Sequence, residues 1–397
     1  LPGVISTLNN TSRARLLPKG ELKWEGKNLE KSVHVRRNVA FTFTEDGGPI
    51  PSAGKQSYVA AKAYRKFGVG SVKVTDGILD NASTTKHAAI TVVESELRGM
   101  LDCIRKAENF IFTRDGTGVI ALLGATTSGS TITVDDGRMC WEGGDFTILD
   151  TDGSTVHATF VNDKINRAFN ASGEAVLTPS ASVAAGSQAQ SDYIVWGSGN
   201  KSMYNRAPTG LDALIDDGTG TFQAVNITTY NRYTSVVYTN STDRPLTPHL
   251  LRTLMAGVKS EAGDDMSAEW TLLGNIWQGI NFEEMYEGEL RITESTKVAG
   301  IEIASFQSAM GKFNIVTDPD APYKKLFLVD FSQITRAVQH ELDWRKNGAT
   351  AGSIFQRKDN SLNHTATCLE TYEYFIEQRN RCGKIENLSE DKTTALG

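Results

Sequence analysis

The sequence predicts an α+β protein in which one long helix is set among many short strands. Three observations carry that expectation. An apolar stripe with spacings of three and four residues runs through Ser83 to Asn109, and β-forming runs broken by Gly and Asp turns fill the middle of the chain. Over 397 residues, 39% hydrophobic and 22% charged positions are the composition of a folded chain with a sizeable core.

Residues 1–30 mix Asn, Thr, Ser, Gly and Pro with scattered basic residues and show no period, so they read as an arm that needs a partner surface to become ordered. From Lys31 to Thr44 the text KSVHVRRNVAFTFT alternates β-formers and predicts a strand. The turn-rich EDGGPIPSAGK follows, and Ser57 to Asp76 resumes the strand pattern. Together, residues 31–78 read as a long hairpin with a Gly/Pro-rich tip, too poor in large apolar residues to form its own core. Such a hairpin must lie on something else.

The helix over Ser83 to Asn109 carries Ala89, Val93, Leu97, Met100, Ile104 and Ala107 on one stripe, with Asn81 or Ser83 as N-cap. Glu94 with Arg98 and Asp102 with Lys106 are supportive (i, i+4) pairs, and the length comes to roughly 40 Å. Asn109 to Gly124 reads as a buried segment interrupted by a polar Gly turn. From Gly129 to Gly199, runs such as TITV, FTIL, VHATF and DYIVW alternate with DDG, EGGD, DTDG and NASGE, which predicts a small all-β region. Helical patterns return at Pro248 to Ala262 and Asn275 to Leu290, strands between Phe313 and Asp330. Thr367 to Arg379, with Leu369, Tyr372, Tyr374 and Ile376, suits a long strand facing protein on both sides. The last ten residues are polar and expected to fray.

Charge and motifs exclude more than they assign. With 41 Lys and Arg against 47 Asp and Glu the net charge is −6, which argues against a protein that wraps nucleic acid. No apolar run nears the ~20 residues of a membrane span. Cys103, Cys140, Cys368 and Cys382 form no CxxC pair and read as small buried hydrophobes in a reducing compartment. GPIPSAGKQS is one residue too long for a P-loop and has Gln56 where a magnesium-binding hydroxyl belongs; GTGVIA at Gly116 to Ala121 lacks a following helix to hold a pyrophosphate. HELDW at His340 puts Trp344 where a second zinc-binding histidine would stand, and there is no GxSxG elbow. The acidic pairs at Asp135, Asp216, Asp264 and Glu283, and the DTDG run, read as solvated turns. No catalytic, cofactor or metal site is expected, which moves the reading from enzyme to structural protein. Arg13, Arg15, Lys19, Arg36 and Arg37 are the densest basic residues, with Trp24 the lone aromatic among them, so they suit a charged contact with a neighbouring subunit better than base stacking.

The order of elements, together with the text LPKGELKWEGKNLEKSVHVRRN, GPIPSAGKQSYVAAKAYRKF, GSVKVTDGILDNAS before the helix, RDGTGVIALL after it and GLDALIDDGTGTFQAVN, resembles the major capsid proteins of tailed bacteriophages, the Hong Kong 97-like fold also used by encapsulin shells. The resemblance implies an N-arm over residues 1–30, an E-loop hairpin over 31–78, a P-domain with its spine helix over 79–124, an inserted β-rich region over 125–206, an A-domain over 207–340 and returning P-domain strands over 341–397. It implies a non-enzymatic subunit, without cofactor, that assembles as pentamers and hexamers into an icosahedral shell around double-stranded DNA. Scaffolding and decoration proteins and a portal would be its other partners, with no membrane, and the virion capsid its location after assembly in the host cytoplasm. Inter-subunit contacts are expected from Pro49, Ile50, Pro51 and Lys55 at the E-loop tip and from Arg13, Arg15, Arg36 and Arg37 at the arm and loop base. Val93, Leu97, Met100 and Ile104 would be the core face of the spine helix. Some members join E-loop to P-domain by a Lys–Asn isopeptide bond, for which Lys55 and Asn360 occupy suitable segments. Leu1 would then be a terminus left by a prohead protease, and no secretory signal is expected. The alternatives are an encapsulin-like cargo shell, against which the β-insert and the length count, and a β-rich carbohydrate-active enzyme or adhesin.

Overall fold

The computed structural model describes residues 24–77, 88–124, 130–166, 174–183, 189–198, 202–263, 270–286, 296–298, 301–308, 311–346, 354–357 and 362–390. The described chain opens with β1 (Trp24–Glu25), turns at Gly26 (φ +64°) and runs into β2 (Asn28–Arg36), which pairs antiparallel with β3 (Ser57–Tyr64). The sequence predicts that the strand beginning at Lys31 reaches Thr44; it ends at Arg36, just past a register shift between His34 and Arg36. Alternation in 37–44 is a preference for extended backbone, and a two-stranded ribbon with no third element beside it does not satisfy that preference.

After Arg65 the chain enters β4 (Lys66–Thr75), which leaves the hairpin. Helix α1 (Ala88–Phe112) follows, three residues longer at its C-terminal end than the sequence predicts; the expected start at Ser83 falls outside the described residues. Asp115, Gly116, Thr117 and Gly118 then make a tight reversal. Asp115 Oδ1 accepts from the Thr117 amide (2.9 Å) and hydroxyl (2.7 Å), and the two glycines take φ of +85° and +82°. That geometry is why the DGTG text reads as it does.

The middle of the chain is a closed barrel: β5 (Val119–Leu122), β6 (Ile132–Val134), β7 (Asp145–Leu149), β8 (Val156–Asn166), β9 (Ala175–Pro179) and β10 (Tyr193–Trp196) are ordered β5-β10-β7-β8-β9-β6, all antiparallel. An antiparallel bridge from Leu123 to Val134, with Gly124 N–H on the Thr133 carbonyl (2.7 Å), joins the two ends. The barrel therefore begins at β5, which the sequence reading grouped with the helix. Phe146, Ile148, Ile132, Leu177 and Ile194 fill it. The closure removes the sheet edges that a lone inserted sheet would expose.

The remainder holds a short helix α2 (Leu211–Leu214), β11 (Thr221–Phe222), β12 (Val225–Asn226), β13 (Val236–Tyr238), α3 (Pro248–Ala262), β14 (Trp270–Gly274), α4 (Ile276–Tyr286), β15 (Thr296–Val298), β16 (Ile301–Ser308), β17 (Gly311–Thr317), β18 (Leu326–Asp330), β19 (Ile334–Trp344), β20 (Phe355–Arg357), β21 (Asn363–Ile376) and β22 (Gly383–Ile385). A seven-stranded mixed sheet in the order β13-β22-β18-β14-β17-β16-β15 forms the body of this lobe, and the buried face of α3 (Leu251, Leu254, Met255, Val258) belongs to its core with Trp270, Leu272 and Leu328. Pro248 opens α3 where the sequence pattern predicts it, and Thr247 caps it through its hydroxyl, which accepts from the Leu250 amide. A second sheet is built on β21, which pairs with β19 and β20 along one side and with β4 along the other, from Asn363–Thr75 to Tyr372–Lys66. All four cysteines are free, with Cys140, Cys368 and Cys382 buried, as expected of small hydrophobes.

Candidate functional site

Among the described residues, no group of three or more His, Cys, Asp and Glu could hold a metal ion. The acidic pair at Asp135 and Asp136 is not the solvated turn that the sequence predicts, because two arginines reach in to pair with its second member, while the pair at Asp264 lies outside the described residues. Asp136 is buried between Arg114 and Arg138, whose Nη2 lies 2.6 Å from it. Burial opposes its ionisation, but the two guanidiniums outweigh that and hold the carboxyl well below the usual range. The surfaces that stand out are two unpartnered ones, held on a rigid frame.

The first is the hairpin tip. Val39, Phe41, Phe43 and Ile50 are 86%, 75%, 90% and 90% exposed, and the two phenylalanine rings meet edge-on at 5.1 Å. Asn38 closes the loop on itself, donating from Nδ2 to the Gly54 carbonyl (3.1 Å) and accepting from the Ala40 amide (2.9 Å). Pro49, Pro51 and Lys55 lie on the same exposed loop as Ile50, so the structure brings the four expected tip residues together in solvent. Arg36 and Arg37 sit where the loop leaves β2; the Arg36 guanidinium stands 5.5 Å from the Tyr230 ring. Arg13 and Arg15 lie outside the described residues, as does Asn360, so the Lys55–Asn360 pair is not placed. The base of the hairpin is covered: Leu29, Ala61 and Ala63 pack with Val225, Tyr233, Ala337 and Phe375. Four large apolar side chains left in water on one short loop mark an interaction surface.

The second surface is β4. Its inner residues Val72 and Val74 are buried, and Gly70 is closely approached, since a Cβ there would lie 2.8 Å from the Cys368 sulfur, 2.9 Å from Ile104 and 3.1 Å from the Met100 sulfur and would make those side chains shift. The α1 stripe predicted from Val93, Leu97, Met100 and Ile104 is half-buried, and its C-terminal half seats on β4 at this glycine. On the other face Phe67 and Val69 are 54% and 63% exposed. Among the described residues, no strand pairs with the edge of β4 that faces away from β21.

Behind these surfaces lies a set of buried polar junctions that sequence reasoning did not find. At the end of α1, Asn109 Nδ2 donates to Asp320 Oδ2 (2.7 Å), Lys106 pairs with Asp320, and the Thr113 hydroxyl donates to the Asp320 carbonyl (3.0 Å), so the helix is tied to the loop after β17. Arg336 of β19 pairs with Glu370 of β21, reaches to 3.8 Å of Glu108 on α1, and stacks at 4.4 Å on Tyr372. Glu373 Oε1 accepts from the amides of Thr209 (2.7 Å) and Tyr374 (2.9 Å), joining β21 to the chain entering α2; burial pushes its carboxyl up to about 7 although those donors pull the other way. Arg379, fully buried, donates to the carbonyls of Leu214 (2.8 Å), Ala213 (3.1 Å) and Tyr233 (3.3 Å) at the end of α2, beneath the Phe222 ring at 4.1 Å. A signal was available for the two glutamates, since a strand facing protein on both sides must bury every residue it carries.

Comparison with known proteins agrees with this geometry. Residues 185–353 match the family model described as SU10 major capsid protein. No curated protein matches the chain. Among solved structures, the Cyanophage A-1(L) capsid asymmetric unit aligns with a TM-score of 0.57 at 10% identity, covering 98% of this chain and 97% of that one. The capsid of the native GTA particle aligns with a TM-score of 0.51 at 9% identity, covering 98% and 94%. The subunit of the holo-SrpI encapsulin complex from Synechococcus elongatus PCC 7942 gives 0.49 at 9% identity over 98% and 92%. The fold is the Hong Kong 97-like capsid fold over nearly the whole length of the chain.

Proposed function

We propose that this chain is the major capsid protein of a tailed bacteriophage, a structural subunit that joins copies of itself head-to-tail into rings of five and six and closes them into an icosahedral shell. The observation that carries this reading is the bare apolar tip on a rigid frame. Residues 39–50 cannot cover their own phenylalanines, so a neighbouring copy must, and a heterologous contact repeated around an axis closes into a ring. Burying one large apolar side chain contributes about 1.5–3 kcal/mol, so Val39, Phe41, Phe43 and Ile50 together supply several kcal/mol per contact before ordering costs. The SU10 match over 185–353 and the shared fold support the same reading. The mild net charge of −6 suits a container that must not adhere to packaged double-stranded DNA. Scaffolding and decoration proteins and a portal are the partners this role calls for, with assembly in the host cytoplasm and residence in the virion. No helix among the described residues is long and apolar enough to cross a membrane.

Negative-stain microscopy with sedimentation of the purified protein tests the reading: closed particles of uniform diameter, or rings of five and six, are expected. Particles holding protein cargo in place of DNA would point to an encapsulin-like compartment. A compact monomer at every concentration, with turnover on a glycan panel, would overturn the shell reading. Deleting Gly47 to Ala53 should leave soluble subunits or capsomers and no closed shells, and intact shells from that variant would refute the role given to the tip.

A further inference from the structure

The text TFQAVN folds as a tight hairpin whose role the shell reading leaves unassigned. β11 and β12 pair Phe222 with Val225, so Gln223 and Ala224 form a two-residue turn, with φ of +45° and +63°. Both lie in the left-handed region, where a side chain crowds the following carbonyl, and glycine or asparagine commonly fills such turns. A strained turn persists only where its surroundings hold it. Gln223 is held from two sides. Its carbonyl accepts from the Lys62 amide of β3 at 2.7 Å, on the edge of the long hairpin that β2 leaves open. Its side chain is fixed to the body of the subunit: Nε2 donates to the Tyr374 carbonyl of β21 (3.3 Å), and Oε1 shares the Tyr233 hydroxyl (3.3 Å) with the Ile376 carbonyl (2.9 Å). Glycine would relieve the turn but would have no side chain to make those bonds, and asparagine is one methylene short.

The other contacts at the base of the long hairpin attach it without aiming it. Leu29, Ala61 and Ala63 pack with Val225 and Phe375, and apolar burial has no preferred direction. Both partners of the Lys31–Glu377 pair are more than a third exposed, so water screens it, and the Arg36 guanidinium stands 5.5 Å from the Tyr230 ring. Hydrogen bonds weaken steeply off-axis and so fix an angle. We infer that Gln223 is the positioning residue that aims the long hairpin: the strained β11–β12 turn braces β3 against β21, and without that brace the hairpin stays attached but pivots on its apolar base. The ladder from Lys62 out to Ser57 is roughly 17 Å long at strand rise, so a pivot of about 10° carries the start of the tip about 3 Å. This inference rests on the shell reading only for why the aim matters; the brace itself belongs to the single subunit.

Double electron–electron resonance on dissociated, full-length subunits tests it. Nitroxide labels at Tyr58→Cys, near the outer end of β3, and at Ser260→Cys, on α3, report the hairpin against the body, and labels at Ser260→Cys and Ile276→Cys report the body alone; all three positions are exposed, and Cys103→Ser removes the native thiol that is not buried. With Gln223 in place the hairpin pair should give one narrow distance distribution. Gln223→Met keeps the volume and the backbone carbonyl but removes the side-chain bonds. It should widen that distribution at least about twofold and speed exchange of the Lys62 amide roughly tenfold, while the body pair keeps its width. A hairpin distribution as narrow in Gln223→Met as in the parent would refute the brace. Equal broadening of both pairs would also refute it, because Gln223 would then hold the fold and not the aim. Under the shell reading the same variant should lose most of its closed particles; full particle yield from a subunit whose hairpin distribution has widened would count against that reading and leave the brace standing.

Discussion

Replacing Glu373 by Gln should remove a specific pH dependence from the stability of the subunit. The carboxyl lies buried between β21 and the Thr209 amide, and burial carries it from its ordinary 4.5 to about 7. Between those two values the folded protein holds a proton that the unfolded chain has released, so stability is fully present below pH 4.5 and is lost as pH rises through 7. At about 1.4 kcal/mol per pH unit, the loss across that window is about 3 kcal/mol. Gln resembles the protonated acid: its amide oxygen can accept from both Thr209 and Tyr374, which bond to the same Oε1 in Glu373. The variant should therefore equal the parent near pH 4.5 and exceed it by about 3 kcal/mol at pH 8. Urea denaturation of dissociated subunits at pH 4.5, 6, 7 and 8, taken as the difference between the two proteins, isolates this group from every other titration. Parallel curves for the two proteins across that range would show that Glu373 ionises normally and that the junction is wetter than its geometry implies.

Two further substitutions probe the same frame. Arg379→Met keeps most of the volume but leaves the carbonyls of Leu214, Ala213 and Tyr233 without their donor, so a loss of about 2–4 kcal/mol is expected in the same denaturation assay; an unchanged midpoint would mean that water replaces the guanidinium. Gly210→Ala would place a Cβ 2.2 Å from the Arg114 carbonyl oxygen and 2.4 Å from that of Ile111, backbone on backbone, so the variant should lose about 3 kcal/mol or more and be recovered mainly as insoluble protein; a soluble variant melting with the parent would refute the tight approach of the α1 end to the α2 start.

Local patterns were legible wherever the stabilising partner is near in sequence. The α1 stripe, the start of α3 at Pro248 and the DGTG reversal each depend on neighbours within four residues, and each stands where the sequence places it. Pairings between distant segments left no such mark. β4 joins β21 nearly 300 residues on, and β5 closes the barrel through the Leu123–Val134 bridge, so both were grouped with their chain neighbours instead. The burial of Glu373 follows from its place on a strand that faces protein on both sides, but its partner does not, because an acid or an arginine in sequence gives no sign of which distant group will reach it.

The strand expected over 37–44 is the most informative departure. Its residues prefer extended backbone and one apolar face, and the subunit supplies neither a ladder nor a cover for them. Elsewhere the chain resolves such conflicts internally: it closes the barrel, caps α3, and surrounds Asp136 and Arg379 with partners. A chain that meets these buried charges internally, yet leaves Val39, Phe41, Phe43 and Ile50 in water, suits the proposed subunit, whose lowest free energy is reached beside other copies of itself.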